Sequence, residues 1–251
     1  RPGRDSPPSA GAGARSALIP PCGGRAARPA WVIRCVGEPD RRFQEDALRV
    51  LRGLRLAAQL DFRLEGETAA AIRRNTPLLS YVAWERIQAE FLRLLCCPGA
   101  ERILLDFPET VCQIVPELTP AVGFDQKNPH HCYDVYTHSV KALGRVRPEP
   151  ALRLAALLHD IGKPACFSLD GQGVGHFYGH EGESARLAEQ AAARLRLDKG
   201  TQERVVTLVA RHGLQIEASP RVVRRWLQRL GPDLFFDLLE LERADGMACA
   251  P

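Results

Sequence analysis

Ala151-Leu152-Arg153-Leu154-Ala155-Ala156-Leu157-Leu158-His159-Asp160-Ile161-Gly162-Lys163-Pro164 carries a nearly wholly apolar helical run straight into two adjacent metal-ligand side chains. An isolated His-Asp pair is usually just a helix end with a solvated carboxylate, so the pair gains meaning only from its company. Upstream lies His138 on a predicted helix, and downstream come His180, His212 and Asp245, each at or near the end of a segment with helical periodicity. Five segments can therefore converge on one ion.

Working outward, the periodic segments are helical almost throughout, and the expected fold class is all-α. From Arg41, the residues Phe43, Ala47, Val50, Leu51, Leu54 and Ala58 recur at helical spacing, with Arg42, Asp46, Arg49 and Gly53 on a second stripe, which predicts one continuous helix. Asp61 and Phe62 end it. A short helix near Glu67 to Arg74 follows, then one through Trp84, Ile87, Phe91, Leu94 and Leu95 before Pro98-Gly99, then short helices punctuated by Pro108 and Pro116. Asn128-Pro129 marks a boundary near residue 125. Beyond it, helices are expected at Asp134 to Leu143, up to His159, Glu181 to Leu195 and Thr201 to His212, with two more opened by Ser219-Pro220 and Pro232. Phe167 to Tyr178, with Asp170-Gly171 at its centre, is the one β signal, a small hairpin.

The predicted organisation is a disordered or aberrant segment at 1–32, a helical neck and body at 33–124, and a metal-binding domain at 125–251. Residues 1–32 are rich in Pro, Gly, Ala, Ser and Arg, with hardly an aromatic and no period, so they bury too little apolar area to offset ordering entropy. The chain starts at Arg1 and stops six residues after Asp245, which reads as a fragment at both ends. Of its 251 residues, 45% are hydrophobic and 25% charged, enough for a real core. No run of roughly 18 apolar residues and no signal-peptide pattern is present, so no membrane association is expected and the cytoplasm is the expected compartment. The eight cysteines lack CxxC spacing and read as reduced structural thiols rather than a zinc ribbon or disulfide scaffold. A net charge of +4 permits a nucleic-acid partner without requiring one.

Imidazole and carboxylate together suit manganese, iron, cobalt or nickel better than magnesium, which prefers oxygen shells. The order His138, His159-Asp160, His180, His212, Asp245 resembles the HD superfamily of metal-dependent phosphohydrolases. That resemblance implies metal ligation by His138, His159, Asp160 and Asp245, a second metal or a phosphate at His180 and His212, and catalytic roles for Asp160 and for Lys163, a cation facing phosphate. The implied chemistry is hydrolysis of a phosphoester by a metal-activated water. His130, His131 and His176 fall outside the pattern, although His176 lies near enough in sequence to touch substrate.

A second motif is Glu45-Asp46-Ala47-Leu48-Arg49-Val50-Leu51-Arg52. Asp46 and Arg49, three apart, are read onto one helix face. On spacing alone they make a plain surface ion pair, while a carboxylate beside a guanidinium also matches the edge of a nucleobase. Residues 37–60 resemble the neck of the bacterial class II tRNA nucleotidyltransferase and poly(A) polymerase family, the CCA-adding enzymes, and Ser80 to Leu95 is similar to the family's next neck helix. Many members carry an HD domain after the neck. The resemblance covers about residues 33 to 250. It implies that Asp46 and Arg49, with Glu45 and Arg52 beside them, select CTP or ATP, and that tRNA is the partner. It also implies a preceding head domain, with magnesium bound for nucleotidyl transfer, that residues 1–32 do not match. The expected function is thus a portion of a CCA-adding enzyme without its transfer head, bearing an HD phosphatase or cyclic phosphodiesterase. The alternatives are a standalone HD phosphohydrolase and a non-catalytic RNA-binding fragment.

Overall fold

The structure, a computed structural model, describes residues 31–128, 132–214 and 216–249, so the expectation for residues 1–30 lies outside the described residues. The described chain is 69% helical, in agreement with the all-α expectation. The first half comprises α1 (Pro39–Glu45), α2 (Leu48–Leu60), α3 (Gly66–Asn75), α4 (Trp84–Leu95), α5 (Ala100–Asp106) and α6 (Pro108–Ile114), with 3-10 turns η1 (Thr76–Tyr81) and η2 (Pro116–Ala121). The second comprises α7 (Val135–Arg145), α8 (Pro150–Leu158), the 3-10 turn η3 (Lys163–Cys166), α9 (His180–Arg194), α10 (Lys199–Arg211), α11 (Pro220–Leu230) and α12 (Pro232–Ala248). No helix among the described residues is long and apolar enough to cross a membrane.

Two local expectations are corrected. The single helix predicted from Arg41 is two, because Asp46 takes extended angles (φ −153°, ψ 100°) between α1 and α2. Its carboxylate accepts from the Leu48 N–H at 3.2 Å, supplying an orphan donor at the start of α2. Apolar periodicity runs on across this break, so it hides the break. The hairpin is present, with β3 (Ser168–Leu169) antiparallel to β4 (Gly175–His176), but it is not the only strand pairing: β1 (Val32–Ile33) runs parallel to β2 (Arg63–Leu64). Trp31 stacks on Phe62 at 5.6 Å beside it, and two-residue strands carry no period to read.

α8 is the spine of the second half: every residue from Ala151 to Leu158 is buried. Glu149 starts it by accepting from the Ala151 and Leu152 N–H groups, with Pro150 in the first turn where its missing donor costs nothing. α7, α9, α10 and α12 surround it. The buried core continues without a gap from Phe43 to Ala244, across the expected boundary near residue 125. Tyr136 of α7 donates its hydroxyl to the Leu104 carbonyl at 2.8 Å, and Lys141 pairs with Glu101 at 2.7 Å.

Candidate metal centre and arginine cleft

α8 ends at Leu158, and its next two side chains, His159 and Asp160, are fully buried where α7, α9, α10 and α12 meet. His138 comes from the middle of α7, His180 from the first residue of α9, His212 from the C-terminal cap of α10, and Asp245 from the last turns of α12. All six sequence-predicted residues are brought together, as two overlapping sets: His138, His159, Asp160 and Asp245; and Asp160, His180 and His212.

Asp160 joins the sets by dividing its oxygens. Its Oδ2 lies 3.4 Å from His138 Nε2 and 3.2 Å from His159 Nε2, while its Oδ1 lies 3.3 Å from His180 Nε2 and 3.4 Å from His212 Nε2. Asp245 Oδ1 completes the first set, 2.8 Å from His138 Nε2 and 3.5 Å from His159 Nε2. Donor atoms held about 2.1 Å from a common ion stand roughly 3.0 to 3.4 Å apart in octahedral or tetrahedral array, close to the 2.8 to 3.5 Å seen.

The imidazoles are oriented by one repeated device. His159, His180 and His212 each direct Nδ1 at the carbonyl three residues earlier, Ala156 at 2.8 Å, Phe177 at 2.8 Å and Val209 at 2.6 Å. In that assignment each Nδ1 donates its proton, so each Nε2 presents a lone pair to the centre. His180 and His212 Nε2 then face each other at 3.2 Å, two lone pairs that need a positive charge between or beside them. His159 Nε2 is buried with no hydrogen bond of acceptable geometry, while Asp160 Oδ2, which also lacks one, has the Lys163 ammonium 2.7 Å away. Buried polar atoms left in this state are costly unless a ligand completes them. The donor set therefore fits a divalent metal ion.

Electrostatics agree. Burial alone lowers the pKa of His159, but the carboxylates of Asp160 and Asp245 outweigh it and raise the pKa to about 10. Burial opposes ionisation of Asp160 and Asp245 too, yet His159 and Lys163 hold Asp160, and His138 and His159 hold Asp245, well below the usual carboxylate range. A pocket that stabilises a proton on a buried imidazole this strongly favours positive charge at Nε2, which a cation also supplies.

The centre opens into a cavity of about 410 Å³ walled by Phe177, Tyr178, His176 and Asn128, with Lys163 and Cys249 at its edge. His176, outside the sequence pattern, thus lines the cavity; its Nε2 lies 3.0 Å from Asp170 Oδ2 in the hairpin. Lys163 is buried, with Nζ 2.7 Å from Asp160 Oδ2 and donating to Gln126 Oε1 at 3.0 Å. Gly162 makes this approach feasible: a Cβ there would stand 2.6 Å from both the His180 carbonyl and the Ser184 nitrogen. Sequence reading missed Gln126, Phe177 and Glu242. Glu242 lies three residues before Asp245, a helical spacing that would have found it. Its pKa is pushed up by burial to about 7, the Asp245 charge adding to the effect and the Gly213 N–H, 2.5 Å away, opposing it.

In the neck, Arg49 and Arg52 line a cleft of about 530 Å³ together with Arg34, Arg42, Phe43 and Leu56. Glu45 organises it, accepting from Arg42 and, at 2.9 Å, from Arg49; Arg52 lies 3.6 Å from Glu90. Asp46 does not pair with Arg49 as the same-face reading expects. Its carboxylate accepts from the Leu48 N–H and stands 3.5 Å from Arg86. The reason is the break between α1 and α2, which takes Asp46 off the helix that carries Arg49.

A helical neck packed against a bundle with an HD-type His/Asp cluster that could hold a metal is the class of protein that this fold and site define. The family model described as "Probable RNA and SrmB-binding site of polymerase A" matches residues 61–121, and the HD domain model matches residues 130–243. The A-adding tRNA nucleotidyltransferase of Deinococcus radiodurans is 36% identical over 241 residues, 91% of this chain and 55% of that protein. The CC-adding tRNA nucleotidyltransferase of Thermus thermophilus is 36% identical over 222 residues, covering 83% of this chain and 51% of that protein. Among solved structures, the Bacillus stearothermophilus CCA-adding enzyme in complex with CTP shares the fold, with a TM-score of 0.58 and 22% identity, over 88% of this chain and 47% of that one. The chain belongs to the tRNA nucleotidyltransferase and poly(A) polymerase family, in its HD-containing form. It spans about half the length of the curated relatives it matches.

Proposed function

We propose that this chain is the nucleotide- and tRNA-recognising neck and body of a tRNA nucleotidyltransferase at about residues 33–124, joined to a metal-dependent phosphohydrolase at 125–251. The observation that carries the hydrolase reading is Asp160, whose two oxygens each belong to a different ligand set. Manganese, nickel, cobalt or iron suits the mixed imidazole and carboxylate donors. A divalent cation held there lowers the pKa of a water toward neutrality and offsets phosphate charge. The chain's own groups do the rest. His138, His159, Asp160 and Asp245 hold the first position, with His180 and His212 meeting the second or the phosphate itself. Lys163 is ion-paired with Asp160 and donates to Gln126, and keeps a further N–H for a phosphate oxygen. Phe177 and Tyr178 form a wall against which a nucleoside or other organic leaving group packs.

The test is turnover of p-nitrophenyl phosphate and of 2′,3′-cyclic nucleotides with added nickel, manganese or cobalt, alongside metal analysis of the purified chain. Turnover that follows metal content and disappears in His159→Ala supports the reading. Equal, negligible metal in wild type and His159→Ala overturns it.

In the neck, the reading is that Arg49 and Arg52 meet the triphosphate or base of CTP or ATP, with Glu45 setting the fork of Arg49 and Asp46 fixing the turn that aims it. The names of the Deinococcus and Thermus relatives, A-adding and CC-adding tRNA nucleotidyltransferase, support nucleotide addition to tRNA as the parent activity. The same reading assigns magnesium to nucleotidyl transfer in a head domain.

A further inference from the structure

The arginines of this chain are distributed unevenly between paired and unpaired states. On α1 and α9 they are interleaved with glutamates one helical turn away: Glu45 takes Arg41 and Arg42, and also Arg49 of α2, and Glu183 takes Arg186. Elsewhere Arg74 meets Asp40, Arg102 meets Asp61 and Arg147 meets Asp237. α11 is different. Arg221, Arg224, Arg225 and Arg229 are all exposed, no acidic residue occurs between Ser219 and Pro232, and none of the four has an ion-pair partner among the described residues.

Arg221, Arg225 and Arg229 form an i, i+4, i+8 row, with Arg224 beside it. Like charges at these spacings destabilise a helix by about 0.2 to 0.5 kcal/mol per pair. A face serving only for solubility would carry mixed signs, as α1 does. The opposite, apolar side of α11 (Val223, Trp226, Leu227, Leu230) is half-buried, and no residue of the helix is fully buried. Arg229 and, from α10, Arg211 lie over the Trp226 ring at 5.5 and 5.7 Å, which favours those guanidinium positions before any partner arrives. Arg221, Arg224 and Arg225 border an open groove of about 850 Å³ whose single acid is Glu217.

We propose that the exposed face of α11 is a docking surface for the phosphate backbone of RNA, and specifically a second binding surface for tRNA outside the neck. Guanidinium forks match phosphate oxygens in pairs, and a row of them without base-reading partners positions a strand without reading its sequence. Trp226 is half-buried and already has Arg211 and Arg229 over its ring, so phosphate contacts rather than base stacking are the interaction proposed. An anionic membrane is the less suitable partner, because the outward side presents arginines alone while the apolar side of the helix is turned into the protein.

The inference rests on the tRNA-enzyme reading of the neck. Binding of a fluorescent tRNA transcript to the whole chain tests it, measured by anisotropy across a salt series and alongside vesicles containing phosphatidylglycerol. Replacing Arg221, Arg224 and Arg225 together by Ala is expected to weaken tRNA binding at least about tenfold at roughly 0.1 M salt, and to reduce the salt slope by about one for each phosphate no longer neutralised. The Arg→Lys triple variant is expected to keep most of the slope, and Arg186→Ala to change neither quantity. Far-ultraviolet circular dichroism and metal content identify a variant that has lost its fold, in which case Arg225→Glu alone, expected to weaken binding several-fold, serves instead. Unchanged affinity and slope in a folded variant overturn the α11 surface while leaving the neck reading intact. A wild-type chain that binds no tRNA overturns both. Loss of vesicle binding with tRNA binding unaffected replaces RNA by a lipid surface.

Discussion

The metal centre and the arginine cleft are both gatherings of charge, and the fold treats them differently. At the centre, four of the six ionisable side chains are almost fully buried, and they arrive from five helices. Removing any one leaves the others uncompensated in low dielectric, which is the most expensive outcome for buried charge. In the cleft, Arg42, Arg49 and Glu45 are each a third or more exposed and come from two consecutive helices, so solvent screens whatever is changed. Burial makes the first site rigid and its substitutions severe. Exposure leaves the second adaptable and its effects modest.

The largest effect is expected from Asp160→Asn, which removes charge from both ligand sets at once. Metal content and phosphoester turnover should each fall on the order of 100-fold or more, beyond the roughly 10- to 100-fold typical when only a supporting partner is lost. A variant with full metal content would break the contrast, since the shared carboxylate would then be dispensable. Gly162→Ala is expected next. Its Cβ meets backbone atoms of α9 at 2.6 Å, so the helix must shift, at a cost of roughly 2 to 3 kcal/mol in denaturant unfolding and with a matching loss of metal affinity. Unchanged stability would mean that this packing relaxes freely.

The neck should respond more gently. Asp46→Ala removes the acceptor of the Leu48 N–H and is expected to cost roughly 1 kcal/mol, while Asp46→Asn keeps an accepting oxygen and restores most of that. If Asp46 acts only as that acceptor, Asn behaves as wild type in CTP and ATP binding to a head-containing protein. If its charge also reads the base, Asn keeps stability and changes nucleotide choice. Arg49→Ala should weaken nucleotide binding in that protein by about tenfold, in line with loss of one charged hydrogen bond.

The smallest effect concerns Glu242, whose pKa of about 7 lies above the ordinary carboxylate value. A carboxyl with a raised folded-state pKa binds more protons folded than unfolded, so stability falls as pH rises from about 4.5 to about 7. Glu242→Gln should remove that loss. With the metal chelated, its melting temperature should match wild type at pH 5 and exceed it by a few degrees at pH 8, an effect on the order of 1 kcal/mol after solvent screening. Identical curves at both pH values would show Glu242 to be solvated.

The two regions also differ in how much of them was legible in the sequence. His138, His159, Asp160, His180, His212 and Asp245 were readable because their order resembles that of the HD superfamily, and helical periodicity marks where the helices end, with five of the six at or close to such ends. The α1–α2 break was hidden, since Phe43, Ala47, Val50 and Leu51 keep helical spacing through a residue in extended conformation. The Asp46 to Arg49 pairing failed with it, and Glu45 is the residue that Arg49 actually meets. Gln126 reaches Lys163 across 37 positions of sequence, a pairing that no local pattern announces.

The Tyr136 to Leu104 hydrogen bond and the Lys141 to Glu101 pair tie α7, which carries His138, to α5 of the neck through one unbroken core. Occupancy of the metal position therefore adds its binding free energy to the opening equilibrium of helices that touch no ligand. Amide protons of α5 should exchange more slowly as metal is titrated in, so the neck of this protein would report on the ionic state of a site it never contacts.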